Sequence, residues 1–355
     1  MRKKFLIPLV IVALLTGASL TCSTPSYILR AGIEEAKILS RRQPIERVVR
    51  DPATSDEVRD KLSLVLQART FAQEMLGLDA GESYTTYSWI ERDTLAMVLS
   101  AARRDRFEAF TWRFPIVGRI PYKGFFSLAE AQAAAADLER EGYDTYIRPT
   151  SAFSTLGWFN DPLLSTLLRY DDVSLASTVI HELAHNTLFV PSQVAFNESF
   201  ASFVGDRGAI AFFCGMEGED GPRCRTARER WADDVAFGRF LERLIDDLET
   251  MYARPELTSE ERVALRDEIY AQAREYFIRE VQPQLSAPGY RGVARMEPNN
   301  AQLIAWRLYY DRLWLFDEVL ARYGGDLPRA ISAIRDAVAT HDDPFDALAM
   351  LAASE

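Results

Sequence analysis

Only three cysteines and three histidines occur in 355 residues. So few cysteines exclude a scaffold stapled by many disulfides and a finger built on two cysteine pairs. There is no internal repeat and no low-complexity tract, which excludes a solenoid and a tail of biased composition. Long apolar runs are scarce too. Phe5 to Leu15 is shorter than the ~20 apolar residues a membrane span needs, and no later stretch approaches it. Positive charge is in deficit: 41 Lys and Arg face 52 Asp and Glu, a net −11. That balance argues against nucleic acid or an anionic lipid surface as partner. What remains is ordinary globular composition, 48% hydrophobic and 26% charged, enough for a sizeable core in one large domain or two.

The first residues read as a leader. Arg2, Lys3 and Lys4 precede the apolar run, and Gly17, Ala18 and Ser19 follow it, so residues 1–21 have the form of a secretory signal. Its removal takes the formal net charge from −11 to −14. Ala18-Ser19-Leu20-Thr21-Cys22 resembles a bacterial lipobox, with Thr21 where Gly, Ala or Ser is usual and Leu20 one place late. The expectation is export to the cell envelope or periplasm, with Cys22 lipidated as a membrane anchor. The plainer alternative is a cleaved signal with a cysteine nearby. Cys214 and Cys224, with nine residues between them in a Gly- and Pro-containing turn, read as a disulfide in an oxidising compartment. Two zinc-binding thiolates, or two buried thiols, are the weaker alternatives.

Along the chain, residues 22–82 read as helical, with a strong helix over 54–77 that Thr54 or Ser55 can cap and Gly77 can stop. Residues 83–152 form a small α/β part. Tyr, Thr, Trp, Phe, Val and Ile dominate 84–126, an alanine-rich helix runs from Ser127 to Glu141, and Tyr143 to Pro149 is a strand. Residues 153–355 are mainly helical, with helices expected over 165–170, 175–189, 194–213, 225–254, 259–281, 300–323 and 327–339. The fold class is α+β, with a mainly helical catalytic half. Residues 22–355 can form one integrated domain.

The chemistry concentrates in His181-Glu182-Leu183-Ala184-His185. Residues i and i+4 of a helix share one face a turn apart, so two imidazoles there can meet one metal ion. Glu182 is rotated about 100° from His181; it misses the ion but can reach a water on it, as a general base. Two of the three histidines fall in this one turn. With such rare histidines a chance match is expected roughly two times in a thousand such chains. Two histidines merely hydrogen-bonded on a buried face would leave Glu182 unexplained.

Zinc needs a third protein ligand and an open position. Glu198, in Phe196-Asn197-Glu198-Ser199-Phe200-Ala201, lies on an apolar segment where a carboxylate is costly unless paired or metal-bound. The Phe189-Val190-Pro191-Ser192 turn can bring it beside the first helix. One Zn2+ held by His181, His185 and Glu198 is therefore expected. Asn197, Ser202 and Asp206 are near enough in sequence to orient the imidazoles. His341, in acidic loop-like surroundings, reads as a surface residue.

At these residues the chain resembles a family of bacterial predicted aminopeptidases, exported and often lipidated, of the gluzincin type. The resemblance runs through residues 153–165 (Phe-Ser-Thr-Leu-Gly-Trp-Phe-Asn-Asp-Pro-Leu-Leu-Ser), the motif helix, residues 195–201, and Asn299-Asn300-Ala301 with Tyr309 beyond; Pro44-Ile45 and Pro121-Tyr122-Lys123-Gly124 also fit. It implies a zincin-like fold and hydrolysis of peptides at their N-terminus by a Glu182-activated water. It also implies a Tyr on a later helix as donor to the oxyanion: Tyr309, with Tyr310 as runner-up and core packing as the alternative for either. Asn160, Asn299 and Asn300 are candidates to bind substrate, the last two serving equally well as helix N-caps. The 153–165 segment could pair with an extended peptide. An endopeptidase, or a non-catalytic envelope lipoprotein with a structural zinc, are the competing readings.

Overall fold

The computed structural model describes residues 38–91, 96–114, 118–150 and 161–353. The leader, Cys22 and the 153–160 stretch with Asn160 lie outside the described residues. No described helix is long and apolar enough to cross a membrane.

The chain is a mixed α+β protein in which short sheets support a larger helical assembly. A two-residue strand, β1 (Gln43–Pro44), leads into α1 (Ile45–Arg50), and α2 (Asp56–Glu74) follows. Ser55 caps α2 by accepting from the Val58 N–H, and Asp56 and Glu57 set negative charge on its positive end. Leu62, Val65, Ala68 and Ala72, spaced three to four apart, form its buried stripe. Gly77 (φ +69°) then takes the left-handed turn that a side chain would resist.

Two sheets follow. In one, β2 (Thr86–Ser88) lies between β1 and β8 (Leu163–Leu164). In the other, β3 (Ala96–Arg103) is central, and a separate hairpin joins β4 (Trp112–Phe114) to β5 (Gly118–Ile120). Antiparallel strands β6 (Tyr122–Phe125) and β7 (Tyr143–Thr150) flank β3. Helix α3 (Leu128–Arg140) covers this sheet, burying Ala131, Ala135 and Leu138 against Leu99, Ala101 and Phe125.

The helical part comprises α4 (Asp172–Thr187), α5 (Val194–Glu217), α6 (Pro222–Tyr252), α7 (Ser259–Tyr276), α8 (Asn300–Tyr310), α9 (Leu313–Arg322), α10 (Leu327–Val338) and α11 (Pro344–Ala353). One core joins α1, α2, α4, α5 and α9–α11 around Phe196, Phe200, Phe203, Phe316 and Phe345. A second lies between α6, α7 and α8 around Phe237, Phe240, Phe277 and Leu303. The sulfurs of Cys214 and Cys224 are bonded, with Cα atoms 4.7 Å apart, and close the turn from α5 to α6.

Two departures from the sequence reading have physical causes. The single helix expected over 300–323 breaks at Asp311–Arg312, where Arg312 adopts φ +50°. No Gly or Pro marks the break; packing does. The end of α8 abuts α6 at Gly238, where a Cβ would stand 2.9 Å from the Tyr310 carbonyl oxygen, while α9 turns away against α11. The helix over 259–281 keeps α geometry only to Tyr276 and closes as a π turn over Phe277–Val281, just before Pro283. Residues 165–169 are a 3-10 turn, and α11 is an added helix.

Candidate metal centre

Helix α4 starts at an Asp171 cap, whose carboxylate accepts from the Ser174 N–H (3.1 Å) and pairs with Arg230 on α6 (2.9 Å). These contacts hold that carboxyl down at about 2, against the opposing effect of burial. Val173, Ala176, Val179, Ile180, Leu183 and Ala184 are buried along α4 and set His181 and His185 on the face that meets α5. Asn197 fastens the intervening turn: its side-chain oxygen accepts from the Val190 N–H and its amide donates to the Val190 carbonyl, both 2.8 Å. It is a clamp on the turn, not an imidazole orienter.

The helices touch backbone to backbone. A Cβ on Gly205 would lie 2.8 Å from the Ser177 carbonyl oxygen and 2.9 Å from His181 Cβ; one on Gly208 would lie 2.9 Å from Ile180. Gly205→Ala should therefore force α5 away at the turn that carries His181. The expected result is about 1–3 kcal/mol of lost stability with weaker zinc binding. Thermal melting and zinc titration check it, with Gly215→Ala, which meets nothing within 4 Å, as the control expected to keep both.

This close approach places three donors together. Nε2 of His181 and of His185 stand 3.5 and 3.6 Å from Glu198 Oε2, and the ligand atoms all lie within 4.8 Å of one another. At bond lengths of about 2.0–2.1 Å a tetrahedral ion holds its donors about 3.3–3.4 Å apart, so the triangle fits zinc with little adjustment. The side chains are largely buried, His185 being 5% exposed. Burial alone would raise the Glu198 carboxyl, but hydrogen bonds and charge from the two imidazoles hold it well below the carboxylate range. Burial would lower His181, yet Glu198, Glu182 and Asp206 together raise it. A cluster that keeps its carboxylate ionised and draws a proton onto an imidazole is short of positive charge, which a divalent cation supplies. The residues fit the metal.

Behind the donors, Asp206 accepts from Ser177 Oγ (2.5 Å) and acts electrostatically on His181, so of the three sequence candidates it is the one placed to steady an imidazole. Ser202 is half-buried, and its hydroxyl makes no hydrogen bond among the described residues. His185 Nδ1 is buried without a hydrogen-bond partner among them. Glu182 is raised, first by burial and then by Glu198 and Asp161, against the pull of both imidazoles. Tyr84, buried and at φ +59°, brings its phenol within electrostatic reach of Glu182 and Asp161. A bulky side chain in that conformation is strained, and such strain gathers at working sites. Sequence reading did not single out Tyr84, which sits in no local pattern; Asp161 falls within the 153–165 segment that carries the resemblance but had no role assigned to it.

Tyr309 ends α8 beside the centre. Ser199, next to Glu198, donates to the Leu308 carbonyl (3.4 Å), and the Tyr309 hydroxyl accepts from Arg148 Nη2 of β7 (3.0 Å). Burial and Glu198 push the phenol up, against Arg148, so it stays a proton donor at neutral pH. Tyr122 also lies within electrostatic reach of Glu198. Tyr310 instead packs edge-on against Phe237 and bonds with Tyr290, in the core.

Asn299 and Asn300 make their hydrogen bonds at the start of a helix. Asn299 caps α8 by accepting from the Gln302 N–H (2.9 Å). Asn300 is fully buried: its amide donates to the Arg103 carbonyl (2.8 Å), and its oxygen accepts from the Tyr252 and Tyr270 hydroxyls. Both fasten the start of α8, about 14 Å along its axis from Tyr309, because their polar groups satisfy a helix end and the neighbouring chain. His341 is exposed and bonds back to the Ala337 carbonyl.

Fold and site together define an α+β protein in which two imidazoles and a carboxylate meet in a largely buried cluster that could hold a cation, with a second carboxyl at its side. The family described as "Putative aminopeptidase" matches residues 26–344, and the chain belongs to that family, among the peptidases. Neither a curated protein nor a solved structure matches the chain.

Proposed function

We propose that the protein is a zinc-dependent aminopeptidase of the cell envelope, built on a zincin-like arrangement of gluzincin type. The observation that carries this reading is the meeting of His181, His185 and Glu198 within bonding range of one ion, with the half-buried Glu182 beside them. A structural zinc site has no use for that fourth, raised carboxyl, which weighs against a mere scaffold. Export and a lipid anchor at Cys22 accord with the leader, and the Cys214–Cys224 bond suits an oxidising compartment.

When bound, zinc lowers the pKa of water toward about 7 and polarises a peptide carbonyl. Glu182 takes the proton from the attacking water at a carboxylate oxygen and returns it to the departing amine nitrogen as the C–N bond breaks. Its raised pKa suits both steps, since a base poised nearer neutrality gives the proton back readily. Tyr309 donates its hydroxyl proton as a hydrogen bond to the carbonyl oxygen as that oxygen becomes negative.

The test is hydrolysis by zinc-loaded mature protein of peptides with a free α-amine against the same peptides N-acetylated. Aminopeptidase action expects the free amine to be favoured about 100-fold or more, since losing a buried ionic contact costs about 3 kcal/mol. Equal rates would make the enzyme an endopeptidase. No hydrolysis across a broad peptide panel, with metal retained, would leave only the scaffold.

A further inference from the structure

We infer that Arg148 is a positioning residue: it fixes the Tyr309 hydroxyl so that its proton points to the oxygen that becomes negative on the scissile carbonyl. This rests on the peptidase reading above and adds to it a residue that no motif marks.

The argument begins with strand register. Arg148 of β7 stands opposite Val98 of β3, and α8 lies across both strands, so the sheet delivers a guanidinium to the end of α8. Its Nη2 reaches the Tyr309 hydroxyl at 3.0 Å. A guanidinium carries donors only and does not give up its proton, so the phenol oxygen must accept. The phenol's own proton is thereby turned elsewhere. Among the described residues no group accepts it through a hydrogen bond. A charged donor on the oxygen also polarises the O–H and makes it a stronger donor in turn.

Arg148 has no evident alternative task. It forms no ion pair with a carboxylate among the described residues, and its Nε is buried without a partner. A half-buried cation that no described carboxylate pairs is a poor stabiliser of a fold. Its one described hydrogen bond goes to Tyr309. The guanidinium carbon also sits over the Tyr309 ring, 5.3 Å from its centroid. The other end of the arrangement is held from the ligand helix, where Ser199 binds the Leu308 carbonyl and sets Tyr309 beside Glu198.

The experiment is a double-mutant cycle on the zinc-loaded full chain, with Arg148→Met, Tyr309→Phe and the pair. It reads kcat and KM separately, together with the affinity of a phosphinic pseudopeptide, whose anionic oxygens mimic the reacting carbonyl. Tyr309→Phe should lower kcat about 100-fold or more. Arg148→Met should lower kcat about tenfold with KM within about twofold, and weaken the phosphinic ligand in parallel. In the Tyr309→Phe background the same Arg148 change should do almost nothing to either readout, because its route is gone. Equal effects of Arg148→Met in both backgrounds would overturn the inference, as would a change confined to KM. Should Arg148→Met not fold, Arg148→Leu carries the same cycle, since it too removes the donor, while Arg148→Lys, whose ammonium can still donate, should restore most of kcat. Wild-type protein that holds zinc without cleaving peptides would bring down the peptidase reading and this inference together. Cleavage with an additive cycle would bring down this inference alone.

Discussion

Glu182→Gln should leave zinc binding and folding intact and lower kcat by about 10²–10⁴-fold, the range expected when a positioned general base is removed. Glutamine keeps the shape of the side chain and can still hold a water, but it cannot accept the proton. The change also relieves the fold. Glu182, Glu198 and Asp161 crowd negative charge into a buried space, and the other two raise the cost of ionising Glu182. A neutral side chain there should melt at the wild-type temperature or slightly above. Metal analysis, thermal melting and steady-state kinetics on one preparation settle the matter. Hydrolysis within tenfold of wild type would move the proton transfer to another group, and the reading of Glu182 would be withdrawn.

Glu198→Ala should weaken zinc binding by about 10²–10³-fold and abolish hydrolysis at ordinary zinc concentrations. The magnitude follows from four-ligand zinc sites, where roughly 10–16 kcal/mol of binding is shared at about 2.5–4 kcal/mol per ligand. The fold should survive. Phe196, Phe200 and Phe203 on the same helix are buried against Phe316 and the rest of a core spanning α1 to α11, and none of them touches this carboxylate's task. Far-UV circular dichroism should be unchanged while competitive zinc titration shows the loss. Zinc held as tightly as in wild type would mean that the two imidazoles find their third partner elsewhere.

Both results depend on features of very different visibility in the sequence. The pairing of His181 with His185 is a matter of helical period, and the apolar residues around them make that period plain. Glu198 was visible as a charge at an apolar stretch, a misfit that needs a partner. The helix breaks at Gly77 and Gly142 follow from the left-handed conformation each adopts. Gly205 and Gly208 carried a signal that could have been read: glycine inside a long apolar helix often marks a close approach. Nothing local marked Arg148, which lies in a strand among alternating residues and meets Tyr309 across 161 positions. Asn300 shows the opposite difficulty. Its place after Pro298 suggested a site residue or a cap, but its side chain joins β3, α6 and α7 across a buried junction.

By itself, then, the sequence determined what short-range geometry can determine. It set the period of the helices, the two imidazoles on one turn, the acid between them, and the rarity of histidine that makes the motif meaningful. Tertiary structure alone decided how near α5 could come to α4, where the 300–323 helix would break, and which side chains would face the centre from β7, α8 and the Tyr84 turn. The division has a physical origin. A helix repeats every 3.6 residues whatever surrounds it, so its faces can be read from the chain. The meeting of groups tens to hundreds of residues apart depends on how whole elements pack, and a single missing Cβ at Gly205 or Gly238 is enough to set that packing.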